Sequence, residues 1–260
     1  MIPDPAVSRA HRFAEQVVMV AGAGGGIGSA ICERFAKEGA SVYACDVVAP
    51  SAEAVVTQLR REGASVETTV FDVTDPEACS AAVQEVADRH GRLDVLVNNA
   101  GVNRRGDLLT LDRADWDLSF AVNVDALFHL CRAALPIMIN AGGGSIVNTA
   151  SQWGLHPAPG QIAHNVSKAA VVAFTQNLAR DYAPYGIRVN AVCPGEIHTP
   201  MLETGLARSG RTVADLNHVV PVGRIGQPAE VAAFVAFLAS DEAPFICGAA
   251  VEITGAQAVA

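Results

Sequence analysis

Short apolar runs rich in β-branched residues alternate with longer segments of helical period along the whole chain. The runs are Val17–Ala21, Ser41–Asp46, Ser65–Phe71, Leu93–Asn98, Ser145–Thr149, Ile187–Val192 and Ala250–Ile253. Between them lie segments with apolar residues three or four apart: Gly26–Glu38, Ser51–Arg61, Pro76–His90, Arg113–Asn140, Ile162–Tyr185 and Pro228–Ala239. The runs show little polar alternation, as strands buried on both faces do. Strand and helix in this order predict an α/β fold, a doubly wound parallel sheet with helices on both faces. No Gly/Ser or Pro linker and no repeat divides the chain. We therefore expect one domain over residues 1–260, with 1–14 as an N-terminal extension. Residues 195–227 lack a clear period, and a loop of that length in a compact domain is usually functional, often a lid over a site.

Composition narrows the class. Half of the 260 residues are apolar and 17% are charged, which excludes intrinsic disorder. A chain of this size buries roughly 70% of its unfolded surface, enough for one large core. With 18 basic and 27 acidic residues the net charge is −9, and no basic run occurs, so nucleic-acid binding is not expected. The longest purely apolar stretch, Val231–Ala239, is far below the ~20 residues that span a bilayer. The start, MIPDPAVSRAH, lacks the apolar core of a signal peptide, so a cytoplasmic location is the expectation. Six cysteines (32, 45, 79, 131, 193 and 247) are scattered with no CxxC pair and no Cys/His cluster; we expect no metal site.

The first predicted strand runs into AGAGGGIG, carrying Gly22, Gly24, Gly25, Gly26 and Gly28. Glycines let a backbone turn sharply against a pyrophosphate, while the helix that follows offers free N-terminal amides and the positive end of its dipole. The spacing G-x-x-x-G-x-G fits Gly22, Gly26 and Gly28. Neither G-x-G-x-x-G nor a P-loop fits. The second strand ends at Asp46, 24 residues after Gly22, where a carboxylate accepts from a ribose 2′-hydroxyl and repels a 2′-phosphate. No Arg or Lys lies between Ala40 and Ala52. NAD is expected over NADP; the alternative role for Asp46 is a cap on the turn into the next helix.

Further motifs follow: NNAG at Asn98–Gly101 closing the fourth strand, Asn123, Ser151 after the fifth strand, Lys168, and Pro194-Gly195 after the sixth. With the glycine turn, these resemble the short-chain dehydrogenase/reductase family from about Glu15 onward. The resemblance implies a seven-stranded Rossmann-type sheet, a nicotinamide cofactor, and hydride transfer between an alcohol and a carbonyl. It implies cofactor contacts from the glycine turn with Ile27, from Asp72 and Val73, from Asn99, Ala100 and Gly101, from Lys168, and from Pro194, Gly195, Ile197 and Thr199. Ala21 stands where many members have Thr, which removes one hydroxyl at the end of the strand.

One position departs from the pattern. The family places a Tyr four residues before the Lys and a Ser thirteen before that Tyr. Lys168 and Ser151 keep this frame, but residue 164 is histidine, and tyrosines occur only at 43, 182 and 185. In the family the Tyr passes the proton, the Ser polarises the substrate oxygen, the Lys lowers the Tyr pKa and the Asn helps hold a relay water. The implied catalytic set is therefore Asn123, Ser151, His164 and Lys168. A histidine is a competent acid/base, but a neighbouring Lys⁺ disfavours the imidazolium, and imidazole is shorter than phenol. Three readings stay open: a substitution introduced into an ordinary dehydrogenase, a natural histidine variant, and an NAD-binding pseudo-enzyme acting as sensor or partner.

On the substrate side stand Ser151, Gln152, Trp153, His156, Asn103, Arg104, Arg105, Glu196 and His198, with Gln161 able to reach either way. This polarity suits a small hydroxylated substrate. The Arg pair fits an anionic group such as a carboxylate, although exposed loop charges are ordinarily just solvated. The long segments Arg113–Asn140 and Ile162–Tyr185 carry more apolar and small residues than one sheet face needs. In the family these helices pair between subunits and the C-terminal residues, here GAQAVA, reach a neighbour, so a homo-oligomer, by family expectation a tetramer, is implied.

Overall fold

The five residues of β1 (Val17–Ala21) are all buried, and they face two different cores. Val18 and Val20 pack with Ile31, Phe35, Val231, Val235 and Leu238 on one side of the sheet. Val17, Met19 and Ala21 pack with Val83, Val86, Leu130 and Met138 on the other. The strand therefore carries no polar face, which is why its sequence shows no alternation. This computed structural model describes residues 11–257. Residues 1–10 of the expected N-terminal extension and the last three of GAQAVA lie outside the described residues.

Seven parallel strands form one sheet in the order β3-β2-β1-β4-β5-β6-β7. They are β1, β2 (Ser41–Asp46), β3 (Val66–Val70), β4 (Val95–Asn98), β5 (Gly144–Thr149), β6 (Ile187–Pro194) and β7 (Ala250–Ile253). Val20 pairs with Ala44 on one side and Val97 on the other, and Ala21 with Cys45 and Asn98. The strand order reverses between β1 and β4, and at such a switch point the ends of the strands open a crevice. Helices α1 (Gly26–Lys37) and α9 (Pro228–Ala239) pack together on one face; α3 (Pro76–His90) and α5 (Ala126–Asn140) pack together on the other. Helix α2 (Ala49–Arg61) flanks β2 and β3, and α6 (Ile162–Tyr182) lies on β6. The chain entering β1 belongs to the core: Phe13 is fully buried, its ring 4.7 Å from Phe35 in an edge contact. Arg12 donates to both oxygens of Glu38 at 2.6 and 2.9 Å. Residues 11–14 thus pack rather than merely extend.

Two segments differ from the sequence expectation. The stretch Arg113–Asn140 is not one α-helix: α4 (Arg113–Phe120) passes through a wider π-turn (Ala121–Asp125) into α5. By length and composition this stretch could cross a bilayer, but here α5 lies on the sheet with Leu130, Ala134 and Met138 in the core. The stretch after β6 holds two helices, α7 (Pro200–Ser209) and α8 (Val213–Val219). Thr199 caps α7, its Oγ1 accepting from Leu202 N–H, and Thr212 with Asp215 forms a capping box on α8. Leu206, Leu216, Val220 and Ile225 make a small core of their own.

Candidate active site

The crevice begins where β1 turns. Gly22 has φ +77°, and a Cβ on it would lie 2.6 Å from the Ala100 Cα, so the turn presses directly on the end of β4. A Cβ on Gly28 would lie 1.9 Å from the Gly22 carbonyl oxygen, so only glycine lets α1 start this close to the turn. Asn99 fixes the same junction, donating to the Gly22 carbonyl at 3.0 Å and accepting from the Thr149 hydroxyl at 3.2 Å. Gly25 caps α1 without a side-chain bond, and no acid stands in the first turn. The helix thus presents free amides and its positive end, with Gly26 and Ile27 lining the cavity. A glycine cradle at an uncapped helix start fits a pyrophosphate.

Asp46 closes β2 beside this turn. One carboxylate oxygen accepts from Gly24 N–H and the other from Val48 N–H, both at 2.9 Å. Both bonds hold the carboxylate in place, so the capping role exists in the structure, and each oxygen keeps a further lone pair. Asp72 forms its own turn, accepting from the amide (2.9 Å) and hydroxyl (2.8 Å) of Thr74. Asp46, Asp72 and Val73 lie outside the main cavity.

That cavity has a volume of about 740 Å³. Around it stand Asn99, Gly101, Asn103, Arg104, Arg105, Ser151, Trp153, Gln161, His164, Lys168, Pro194, Gly195, Glu196, Ile197 and Thr199, all singled out from the sequence. His164 and Lys168 share one face of α6, one turn apart. The Lys168 ammonium is buried and donates to the Thr149 carbonyl at 2.7 Å; burial lowers its pKa to about 8. Burial, and next the charge of Lys168, push His164 down to about 4, so its imidazole is neutral near pH 7. His164 Nδ1 is buried with no hydrogen-bond partner. Ser151 accepts from Trp153 N–H at 3.2 Å, which leaves its own O–H to donate. Burial pushes the Glu196 carboxyl up, opposed by Arg105 and Arg211. Arg104 pairs with Asp115 at 3.2 Å. Asn103 donates to Gln161 Oε1 at 2.9 Å, while Asn103 Oδ1 is buried and unpartnered.

Other sequence-singled residues lie elsewhere. Asn123, in the π-turn, is fully buried and committed: Oδ1 accepts from Val102 N–H (2.9 Å), and Nδ2 donates to the Val102 carbonyl (3.0 Å) and Ser167 Oγ (2.9 Å). It braces the loop after β4 and does not line the cavity. Gln152 and His156, expected beside substrate, turn away from it, drawn to Gln257 (3.1 Å) and Glu252 (2.7 Å). His198 is exposed and meets Glu203 at 3.0 Å. Cavity residues that sequence reasoning missed include Asp115 and, from α7, Met201, Leu202, Thr204 and Gly205. The caps at Thr199 and Thr212 were the available signal for that segment.

Comparison with known proteins agrees with this geometry. The family described as "Enoyl-(Acyl carrier protein) reductase" matches residues 22–255. The 3-oxoacyl-(acyl-carrier-protein) reductase FabG of Thermotoga maritima is 38% identical over 244 residues, covering 94% of this chain and 98% of that protein. The crystal structure of levodione reductase superposes with TM-score 0.92 at 35% identity, covering 95% and 99% of the two chains. An actinorhodin polyketide ketoreductase variant solved with NADPH gives TM-score 0.91 at 32% identity, covering 95% and 99%. From the match along nearly its whole length, the chain belongs to the short-chain dehydrogenase/reductase family, oxidoreductases that bind a nicotinamide cofactor.

Proposed function

We propose that the protein is an NAD(H)-dependent oxidoreductase that interconverts an alcohol and a carbonyl on a small, polar, hydroxylated substrate, with His164 as a weak proton-transfer group. The observation that carries this reading is one cavity holding Ser151, His164 and Lys168 beside the open amides of α1. When bound there, the nicotinamide supplies or removes a hydride. Gly22, Gly28 and the start of α1 would hold the pyrophosphate. Asp46, anchored by two amides and without a cation in its turn, favours a ribose 2′-hydroxyl over a 2′-phosphate.

The Ser151 hydroxyl donates to the substrate oxygen and polarises it. His164, neutral at pH 7, accepts the proton of an alcohol through its imidazole. Burial first, and the positive charge of Lys168 next, keep the imidazole from charging. Arg105 beside Glu196, and Arg104 with Asp115, give the substrate end a polar lining suited to hydroxyl and carboxylate groups. Helix α7, whose Met201 and Leu202 face the cavity, serves as its lid in this reading.

The second reading is an NAD-binding protein without turnover. Its support is the neutral His164, whose Nδ1 has no partner, a poor proton donor in the reductive direction. A screen of polyols, hydroxy acids and hydroxysulfonates with NAD separates the two, run on this chain and on His164→Tyr. Turnover by this chain supports the oxidoreductase; turnover by His164→Tyr alone, or silence from both across the panel, selects the binding protein.

A further inference from the structure

A turn of chain beyond β7 closes the back of the cavity. Gly195, which lines it, donates from its amide to the Ile253 carbonyl at 3.0 Å. A Cβ on Gly195 would lie 3.0 Å from Gln152 Oε1 and 3.1 Å from the Thr254 Cα, so this glycine is clamped between the two. Gln152 directly follows Ser151 and is completely buried. Its Nε2 donates to Gln257 Oε1 at 3.1 Å, while its Oε1 has no hydrogen-bond partner. The turn that carries Gln257 is closed by Gln257 N–H on the Thr254 carbonyl (3.2 Å). It also holds the exit of α8, where Val222 N–H donates to the Gly255 carbonyl at 3.3 Å. Ala256 within it has φ +69°, a conformation a non-glycine residue keeps only when its surroundings fix it.

We propose that Gln257 and Gln152 are positioning residues for the nicotinamide end of the cofactor site. Gln257 holds the Gln152 amide against Gly195, and so keeps the Pro194–Gly195 turn at the depth that a nicotinamide needs. This rests on the reading that the cavity takes a nicotinamide cofactor. Without Gln257, the buried Gln152 amide has neither end satisfied. A buried orphan of that kind rotates or draws water rather than staying in place. The surface behind Gly195 then loosens. Asp46, Gly22 and Gly28 make no bond to this pair, so the adenosine and pyrophosphate end is unaffected.

The test is calorimetric titration with two probes, NADH and ADP-ribose, which share every group except the nicotinamide. Gln257→Ala should weaken NADH about fivefold, the worth of one hydrogen bond, and ADP-ribose by less than about twofold. Gln257→Glu keeps the accepting oxygen and should restore NADH to within about twofold of the parent. Adding Gln152→Met to Gln257→Ala should cost little more, because both changes remove the same contact. NADH affinity unchanged in Gln257→Ala would overturn the proposal. So would an equal loss for both probes, the mark of general destabilisation. A parent chain that binds neither NADH nor NADPH would sink the cofactor reading and this proposal with it, whereas failure confined to the variants sinks the proposal alone.

Discussion

An imidazole at 164 and an ammonium at 168 lie one turn apart on α6, and burial, with the charge of the second, sets what the first can do. His164 has its ordinary pKa of 6.5 lowered to about 4 by burial and by Lys168. To accept a proton from an alcohol it must be neutral, which holds at any pH above about 4. To donate one to a carbonyl it must be charged, and that fraction falls about tenfold with each pH unit above its pKa. Oxidation should therefore be nearly flat between pH 5 and 7 while reduction falls steeply over the same range; initial rates in both directions will show it, and parallel profiles would exclude His164 as the group that titrates. The same shift acts on stability. Below the ordinary pKa the unfolded state takes up a proton that the folded state resists, so stability is lost as pH falls from 6.5 through about 4. His164→Tyr brings a longer side chain whose hydroxyl a neighbouring ammonium helps to ionise. It should raise kcat by 10²-fold or more, within the usual worth of a placed acid/base, and leave the NAD dissociation constant within about threefold, because the glycine turn and Asp46 lie apart from residue 164. A variant no faster than the parent, on a substrate the parent turns over, would show that histidine is this enzyme's own acid/base.

At the scale of elements, the strands and long helices were legible because each carries a period over many residues. All seven strands fall within a residue or two of their apolar runs, and α1, α3 and α9 begin where a glycine or proline opens them. Helices α7 and α8 were not legible: at 10 and 7 residues they are too short for a period to register, and their signal lay in caps at Thr199 and Thr212. The π-turn at Ala121–Asp125 has no local signature; it forms where Asn123 satisfies both backbone groups of Val102. The glycine turn was legible because its constraint is local, and its cost is testable. Gly28→Ala puts a methyl 1.9 Å from a backbone oxygen that cannot move far, and should destabilise the fold by about 2 kcal/mol or more, read as a lower melting temperature. The capping role of Asp46 was legible by residue type and position, though not which amides, Gly24 and Val48, it holds. With its carboxylate so fixed, NADH should bind at least about tenfold tighter than NADPH, roughly 1.4 kcal/mol. Equal affinities by calorimetry would leave Asp46 as a cap alone.

Across the whole molecule, contacts between distant residues were hidden from sequence reasoning: Gln152 with Gln257, His156 with Glu252, Asn123 with Val102. Each depends on which ends of the sheet come together, and no local pattern encodes it. Assembly is a question at the same scale, and the surface carries two features that bear on it. On α5 and α6, Phe128 and Val166 are exposed at 49% and 42%, on helices whose other faces pack within the fold. At the far edge of the sheet, β7 has no outer partner among the described strands, its four residues are only half-buried, and Phe245 beside it is completely exposed. An open strand edge flanked by an aromatic invites a second chain, as does an apolar helix face. Two such surfaces on different sides, if each pairs with its own copy about a two-fold axis, would generate a tetramer of D2 symmetry. We therefore propose a homotetramer, built on the α5–α6 face and the β7 edge. Light scattering at micromolar concentration should return four times the chain mass. Phe245→Asp should open only the β7-edge contact and Phe128→Asp only the helical one, so each should leave dimers, and NADH binding should persist in both. A monomeric parent would refute the assembly outright; a parent tetramer that Phe245→Asp leaves intact would remove the β7 edge from it.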